Sequence, residues 1–312
     1  MKVRIGTRRS DLARWQAKHV ASLLKEKYPH LDVSFTFVSS HGDRDRKESL
    51  NIVGGGVGAF TKESEEALLS GNADIVVHSL KDLPTVLSAG LILAAVPVRE
   101  KAYDVLCGVA VSELGYGIRV GTGSIRRKAQ LLNIFPGIEI RPIRGNVPPR
   151  LRKATTKAGM DATILAAAGL ERLGLMESAF SILEPRLFPY AVGQGALGIE
   201  VRESDIALCE LVKGIEDYSS RSQVDAERSL MRRLEAGCSL PVGVVTRVDN
   251  DKTLSLYARV TKADGSDRLE DEITGNIRDA ENLGIELADR LLAKGAAPML
   301  AEATAIRKEY TN

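Results

Sequence analysis

Between Arg119 and Arg152 the chain sets eight basic residues, Arg119, Arg126, Arg127, Lys128, Arg141, Arg144, Arg150 and Arg152, against a single acid, Glu139. Arg126 and Arg127 follow a GTGS segment at residues 121–124 and fall in the first turn of the helix it opens, where the helix dipole disfavours cations. Binding is one reason to put them there. A guanidinium fork grips a carboxylate or phosphate through two hydrogen bonds, so several arginines beside helix N-termini describe a receptor for a small polyanion. A solvated basic face is the other reading of such a cluster. The second set is HSLKDLP at residues 78–84, where a buried-type strand runs into a bend, the place where open α/β sheets hold ligands. Asp82 there could stabilise a developing cation or move a proton, and Lys81 and Ser79 could hold an anion; the Lys81–Asp82 pair could equally be a surface ion pair in a turn. The third is Cys238 in LEAGCSLPVG, on an irregular loop between a helix-ending glycine and Pro241. Without a His or Asp close by it argues poorly for a cysteine hydrolase, and spacing alone cannot show a covalent anchoring role.

These residues need elements to hold them. Residues 3–5, 33–38, 75–77, 91–96, 105–107, 118–120, 138–140 and 162–165 read as strands interspersed with helical patterns, which predicts parallel-sheet α/β units, two of them by economy. Ser10 stands at a helix N-cap, and Leu12, Trp15, His19, Val20, Leu23 and Leu24 recur at helical spacing until Pro29. A glycine-rich loop at residues 54–58 leads into a helix that stops near Gly71. The start IGTRRS at residues 5–10 is echoed by VGTGS at 120–124, each placing strand, Gly-Thr and a capping Ser before a helix, so each aims free N–H groups at one spot. From about Asp217 a long helix through Leu234, strands around Val242, Leu254 and Ile273, and helices at 280–292 and 298–308 predict a small α+β domain.

The 312 residues are 44% apolar and 27% charged, enough for two or three domains with cores of their own and too apolar for a disordered chain. Lys plus Arg (43) against Asp plus Glu (41) leaves a net charge of +2. Neither that balance nor a content of 4% aromatics, with only Phe135 inside the basic cluster, fits a nucleic acid partner. The three cysteines, Cys107, Cys209 and Cys238, have no metal-ligand spacing, His19, His30, His41 and His78 have none either, and His78 reads as a structural histidine, so no metal site is expected. Cys107 and Cys209 lie in apolar surroundings and read as packing residues. No stretch of 18 apolar residues occurs and charge begins at Lys2, which points to a cytoplasmic protein with reduced thiols and no membrane segment.

Together these stretches resemble the porphobilinogen deaminase family, also called hydroxymethylbilane synthases. IGTRRSDLARWQA, GAFTKESEEALL, ADIVVHSLKDLP, VGTGSIRRKAQL, IRGNV, ILAAAGLERLGL, AVGQGALGIE and LEAGCSLPVG stand in order from Arg4 to about Ala301. The resemblance implies two α/β domains like type II periplasmic binding proteins with an active cleft between them, plus a small C-terminal α+β domain. Residues 1–96, completed by 196–215, would form the first domain, 97–195 the inserted second and 216–312 the third. It implies a cytoplasmic, monomeric transferase of porphyrin and heme biosynthesis, joining four porphobilinogen molecules head to tail with loss of ammonia and releasing hydroxymethylbilane with water. The primer would be a dipyrromethane cofactor held by a thioether to Cys238. Asp82 would be the catalytic aspartate. Ser79, Lys81, Thr122, Ser124, Arg126, Arg127, Gly145 and Arg150 would contact the cofactor, and Arg8, Ser10, Arg144, Arg172 and Gln194 the substrate.

Three positions depart from the family pattern: Val57 where Lys is common, Gly123 where Ser is usual, and Pro148-Pro149 where a Thr often precedes the Arg. Each removes a polar contact and leaves Asp82 and Cys238 in place. The main rival is a non-enzymatic two-lobed protein holding a small anion. It accounts for the arginines but not for the Cys238 loop.

Overall fold

The computed structural model describes residues 1–38, 61–177, 180–235, 240–250 and 252–309. The glycine-rich loop with Val57, and Cys238, lie outside the described residues.

The first unit runs β1 (Lys2–Thr7), α1 (Asp11–Lys27), β2 (Asp32–Phe37), α2 (Lys62–Leu69), β3 (Ile75–Ser79), a single 3-10 turn (Leu80–Asp82) and β4 (Leu91–Ala95). Then come β5 (Asp104–Cys107), β6 (Arg119–Gly121), α3 (Ile125–Ile134), β7 (Glu139–Arg141), α4 (Val147–Thr155), β8 (Ala162–Ala166), α5 (Ala167–Arg172) and β9 (Ser181–Ile182). The chain returns as β10 (Leu197–Arg202) and α6 (Ile206–Lys213). It ends with α7 (Tyr218–Arg233), strands β11 (Val242–Asp249), β12 (Thr253–Thr261) and β13 (Arg268–Asn276), and helices α8 (Ala280–Ala293) and α9 (Ala296–Glu309).

Two five-stranded sheets share one plan. Their orders are β2-β1-β3-β10-β4 and β7-β6-β8-β5-β9. In each, three parallel strands are followed by a strand running antiparallel to them, β10 in the first and β5 in the second. Both antiparallel strands adjoin the two chain crossings between the sheets, and this is the type II periplasmic-binding-protein arrangement expected above. β3 is buried at four consecutive positions, as a parallel strand covered on both faces must be. Ala17, Val20, Ala21 and Leu24 of α1 pack there against Val3, Ile5, Ile75, Val77 and Ile199.

The third sheet, β11-β12-β13, is antiparallel. Its core joins Leu230 of α7 and Leu287 and Leu291 of α8 to Val242, Val244, Leu254 and Leu256. Helix α7 also faces the first unit, where Val224 packs with Leu80, Leu83, Val96 and Ala196. The crossings lie side by side, Glu100 N donating to Gly195 O at 3.3 Å. Buried Arg99 locks them to the third sheet's helix, donating through Nη1 to Glu227 Oε1 at 2.6 Å and through Nε to Gln194 O at 2.9 Å.

Candidate active site

The site is built where strand ends of the first two sheets face each other. At the end of β3, Ser79 Oγ accepts a hydrogen bond from Gln16 Nε2 at 2.7 Å. Leu80 N then donates to Ala196 O at 3.0 Å, and Leu83 N closes the turn on Leu80 O at 3.2 Å. Leu80 and Leu83 are buried, and between them Lys81 is half-buried and Asp82 exposed. Two apolar anchors therefore present a cation and an anion at the opening. Burial, with repulsion from Arg127 and Arg126, lowers Lys81 from 10.5 to about 8 against the opposing pull of Asp82 and Asp104.

The repeated junctions form as the sequence predicts. Ser10 Oγ caps α1, accepting from Ala13 N at 3.3 Å, and Ser124 Oγ caps α3, accepting from Arg127 N at 3.4 Å. Thr122 Oγ1 accepts from Ser124 N at 3.1 Å. A Cβ on Gly123 would stand 2.9 Å from Ile143 O, so the smallest residue suits this position. Pro148 and Pro149 occupy the first turn of α4, where a missing N–H removes no helical hydrogen bond.

Arg126 and Arg127 converge on Asp104, whose side chain is wholly buried at the start of β5. Arg126 Nη2 lies 2.8 Å from Oδ2, and Nη1 donates to Pro189 O at 2.5 Å and to Gln130 Oε1 at 3.3 Å. Arg127 grips the same carboxylate from the other side and donates through Nη1 to Ile164 O at 2.8 Å. Gln194 also turns inward, its Nε2 donating to Asp104 Oδ1 at 2.8 Å and to Ala102 O at 2.5 Å. Burial would raise the Asp104 carboxyl; the two guanidinium charges outweigh it and hold it well below the usual carboxylate range.

A cavity of about 60 Å³ opens here, lined by Ser79, Lys81, Arg127, Arg172, Gly193 and Gly195 among others. Arg172 is buried, donates through Nη2 to Gly195 O at 2.7 Å, approaches Glu100 with Nε at 3.4 Å and lies over the Trp15 ring at 5.6 Å. Half-buried Arg150 on α4 has a buried Nε with no hydrogen-bond partner. Burial and Arg127 lower it from 12.5 to about 10, with Asp82 pulling the other way. Gly193 and Gly195 have φ of 70° and 85°, and a Cβ on Gly195 would stand 2.4 Å from Glu100 O, so the GQG run needs its glycines.

The structure thus gathers Ser79, Lys81, Arg127 and Arg172 on one cavity, with Asp82 and Arg150 within their electrostatic reach. It directs Arg126 and Gln194 to partners inside the chain. Arg8 and Ser10 are half-buried just beyond β1, and Arg144 and Gly145, the latter with φ of 107°, are exposed in the turn before α4. Asp104 is the functional side chain that sequence reasoning passed over. Its one signal is an acid opening the buried run DVLC, since a charge there needs partners. His78 Nε2 sits 2.9 Å from buried Glu200 Oε2, as a structural histidine would. Among the described residues no group of His, Cys, Asp and Glu could hold a metal, and no helix is long and apolar enough to cross a membrane.

Among solved structures, the chain is similar to the methionine-binding protein MetQ (14% identity, TM-score 0.42, 72% of this chain and 94% of that one). It is also similar to the effector-binding domain of a BenM variant (14%, TM-score 0.40, 72% and 94%). Sequence relatives are far nearer. The porphobilinogen deaminase of Pelobacter propionicus is 43% identical over 303 residues, covering 96% of this chain and 97% of its own. That of Moorella thermoacetica is 41% identical over 313 residues, with 99% of both chains covered. The family model described as porphobilinogen deaminase, dipyromethane cofactor binding domain, matches residues 3–210, which contain the cavity and the Lys81–Asp82 turn. The model of the porphobilinogen deaminase C-terminal domain matches residues 222–293. With both parts matched in order and relatives aligned along almost its whole length, the chain belongs to the porphobilinogen deaminase family.

Proposed function

We propose that this chain is the tetrapyrrole-forming transferase of its family. It condenses four porphobilinogen molecules head to tail on a covalent dipyrromethane, with loss of one ammonia per unit, and releases hydroxymethylbilane by hydrolysis. The observation that carries the reading is the exposed Asp82 carboxylate next to the cavity-lining Lys81 and within electrostatic reach of Arg150. Departure of ammonia leaves positive charge on a pyrrole ring, and Asp82 is the anion placed to offset it. The surrounding cations suit the acetate and propionate groups that every unit carries.

The donor set fits the cofactor. Arg127 and Lys81 line the cavity, Ser79 offers a hydroxyl, and the buried Arg150 Nε awaits an acceptor. Together with Thr122, Ser124 and Gly145 these would hold dipyrromethane carboxylates, and Cys238 would be its thioether anchor. When bound, dipyrromethane supplies the free pyrrole position that accepts the first unit. Arg126 serves mainly to set Asp104 and so Arg127. Arg8, Ser10, Arg144 and Arg172 are assigned to incoming substrate, with Gln194 steadying Asp104 behind them.

Residues 1–96 with 196–215, 97–195 and 216–312 are taken as three domains of a cytoplasmic monomer with no nucleic acid or membrane partner. The rival, a two-lobed anion-binding protein without catalysis, has no use for the Cys238 loop. Intact mass tests the reading. Wild-type protein should carry an excess equal to two linked porphobilinogen-derived rings and react with Ehrlich's reagent after denaturation. Cys238→Ala should lack both, while Cys107→Ala and Cys209→Ala retain them. An adduct persisting in Cys238→Ala would overturn the anchor, and turnover of porphobilinogen by protein with no adduct would overturn the primed mechanism.

A further inference from the structure

Helix α7 carries Glu227 and Arg228 side by side, both buried. Arg228 donates through Nη1 to Leu83 O at 3.2 Å and through Nη2 to Pro84 O at 2.6 Å. These are the first and second carbonyls after Asp82. Glu227 Oε2 accepts from Gly193 N at 2.7 Å. Gly193 in turn backs the turn so closely that a Cβ there would stand 3.1 Å from Leu80 C and Lys81 N. The entrance of the turn is tied through Leu80 N to Ala196 O, the residue before β10, and Arg228 adds two hydrogen bonds at the exit, on the backbone just past Asp82.

A guanidinium taken out of water is expensive to place, and its planar fork fixes two acceptors in direction as well as distance. Aliphatic packing of Val224 on Leu80 and Leu83 could hold the helix near the turn, but it could not set where the backbone leaves Asp82. Arg228 also stands ten residues before Cys238, on the helix that leads to that loop. One rigid element therefore reaches both the acidic turn and the start of the segment assigned to the cofactor anchor.

We propose that Arg228 is a positioning residue for Asp82, fixing the exit of the 80–84 turn so that the carboxylate is held beside the cavity-lining Lys81. The inference rests on the reading of Asp82 as the cation-stabilising group. Its test is a double-mutant cycle on holoenzyme whose cofactor loading has been verified by intact mass, timing the first condensation with saturating porphobilinogen. Arg228→Gln should slow that step by about tenfold or more, the scale of a small displacement of a reacting group, while KM changes by less than about twofold. Arg228→Lys should recover part of the rate. In the Asp82→Asn background, Arg228→Gln should add less than about twofold, because a residue acting through Asp82 has nothing left to position. Arg221→Gln, which loosens α7 at Leu93 O away from the turn, should condense at the wild-type rate.

A wild-type rate in Arg228→Gln, a double variant slowed by the product of the single effects, or an equal slowing in Arg221→Gln would each overturn the proposal. A slow Asp82→Asn with a normal Arg228→Gln removes the positioning role alone. A normal Asp82→Asn removes the reading of Asp82 and this inference with it. If Arg228→Gln gives no folded holoenzyme, the same cycle is run with Arg228→Lys, for which a loss of about threefold is expected on the same grounds.

Discussion

Asp104 and Arg127 meet through two hydrogen bonds, Nη2 to Oδ1 at 2.7 Å and Nε to Oδ2 at 3.3 Å, at a carboxylate with no solvent exposure. Arg126 takes the same carboxylate at 2.8 Å, so one negative charge serves two positive ones and the group keeps a net positive charge beside the cavity. This resolves the two first-turn cations that the helix dipole disfavours: a strand from the same sheet supplies the counter-charge.

Asp104→Asn leaves two buried guanidinium groups facing an amide. The expected loss is about 3 to 5 kcal/mol, the range for breaking a buried pair from one side. The carboxyl is depressed below its ordinary value of 3.8, so its contribution is present above that pH and is lost as pH falls through the lower folded value. Urea unfolding at pH 7 and at pH 3 checks both parts. A variant within about 1 kcal/mol of wild type at pH 7 would show that Asp104 does not hold the pair.

Arg127 and Arg126 should separate under the same conservative change. Arg127 lines the cavity and Arg126 does not. Arg127→Lys keeps charge and loses the planar fork, so the hold on the dipyrromethane carboxylates should weaken by about 1 to 3 kcal/mol and cofactor loading should fall. Arg126→Lys should instead lower the unfolding midpoint and leave loading near wild type. Intact mass of both variants after the same reconstitution decides it; equal loading of wild type and Arg127→Lys would remove bidentate recognition of the cofactor from that position.

The fold was legible where burial is written locally. Residues 75–77 and 105–107 read as strands because a strand buried on both faces demands an unbroken apolar run whatever the direction of its neighbours, and Ser10 and Ser124 announced their helices because capping is a one-residue signal. The placement of β10 was not legible from periodicity: LGIEVR pairs antiparallel with strands more than a hundred residues upstream, and only the family resemblance pointed to the return. The site followed the same rule. The density of arginines at 119–152 is visible in one line, whereas Asp104 lies outside that line and meets it only in space. The contact of Arg228 with the turn leaves no mark, because it is made to main-chain carbonyls that any residue at 83 and 84 would supply.

Lys81 gives a pH signature. Burial and the neighbouring arginines set it at about 8, against 10.5 for the free side chain. Between those values the unfolded chain binds more protons than the folded one, so this residue's penalty is full below about pH 8 and fades as pH rises to 10.5. In the Cys238→Ala background, where no covalent group supplies carboxylates, Lys81→Met should therefore raise the urea midpoint most near pH 7. The gain should shrink towards pH 10.5. A gain independent of pH would assign the effect to packing instead.

Asp82 should act through its charge. It is exposed on the turn, flanked by the cavity-lining Lys81 and within electrostatic reach of Arg150, so the cations around it already answer the carboxylates of substrate. What they cannot do is offset the positive charge that appears on a pyrrole ring as ammonia leaves; an arginine near that ring would oppose it. Asp82→Asn keeps size and hydrogen bonding and discards the charge, so condensation should slow by about a hundredfold or more, the scale for removing one preorganised electrostatic group. Asp82→Glu retains the charge one methylene further out and should keep more activity than Asn. The primer is assembled by the same kind of chemistry, so each variant must be reconstituted and weighed before it is timed. Single-turnover formation of the first enzyme-substrate intermediate, with porphobilinogen saturating, then isolates the step. Loaded Asp82→Asn forming that intermediate at the wild-type rate would leave the turn at residues 78–84 as a structural bend, and the search for the counter-ion would move to other carboxylates of the cleft.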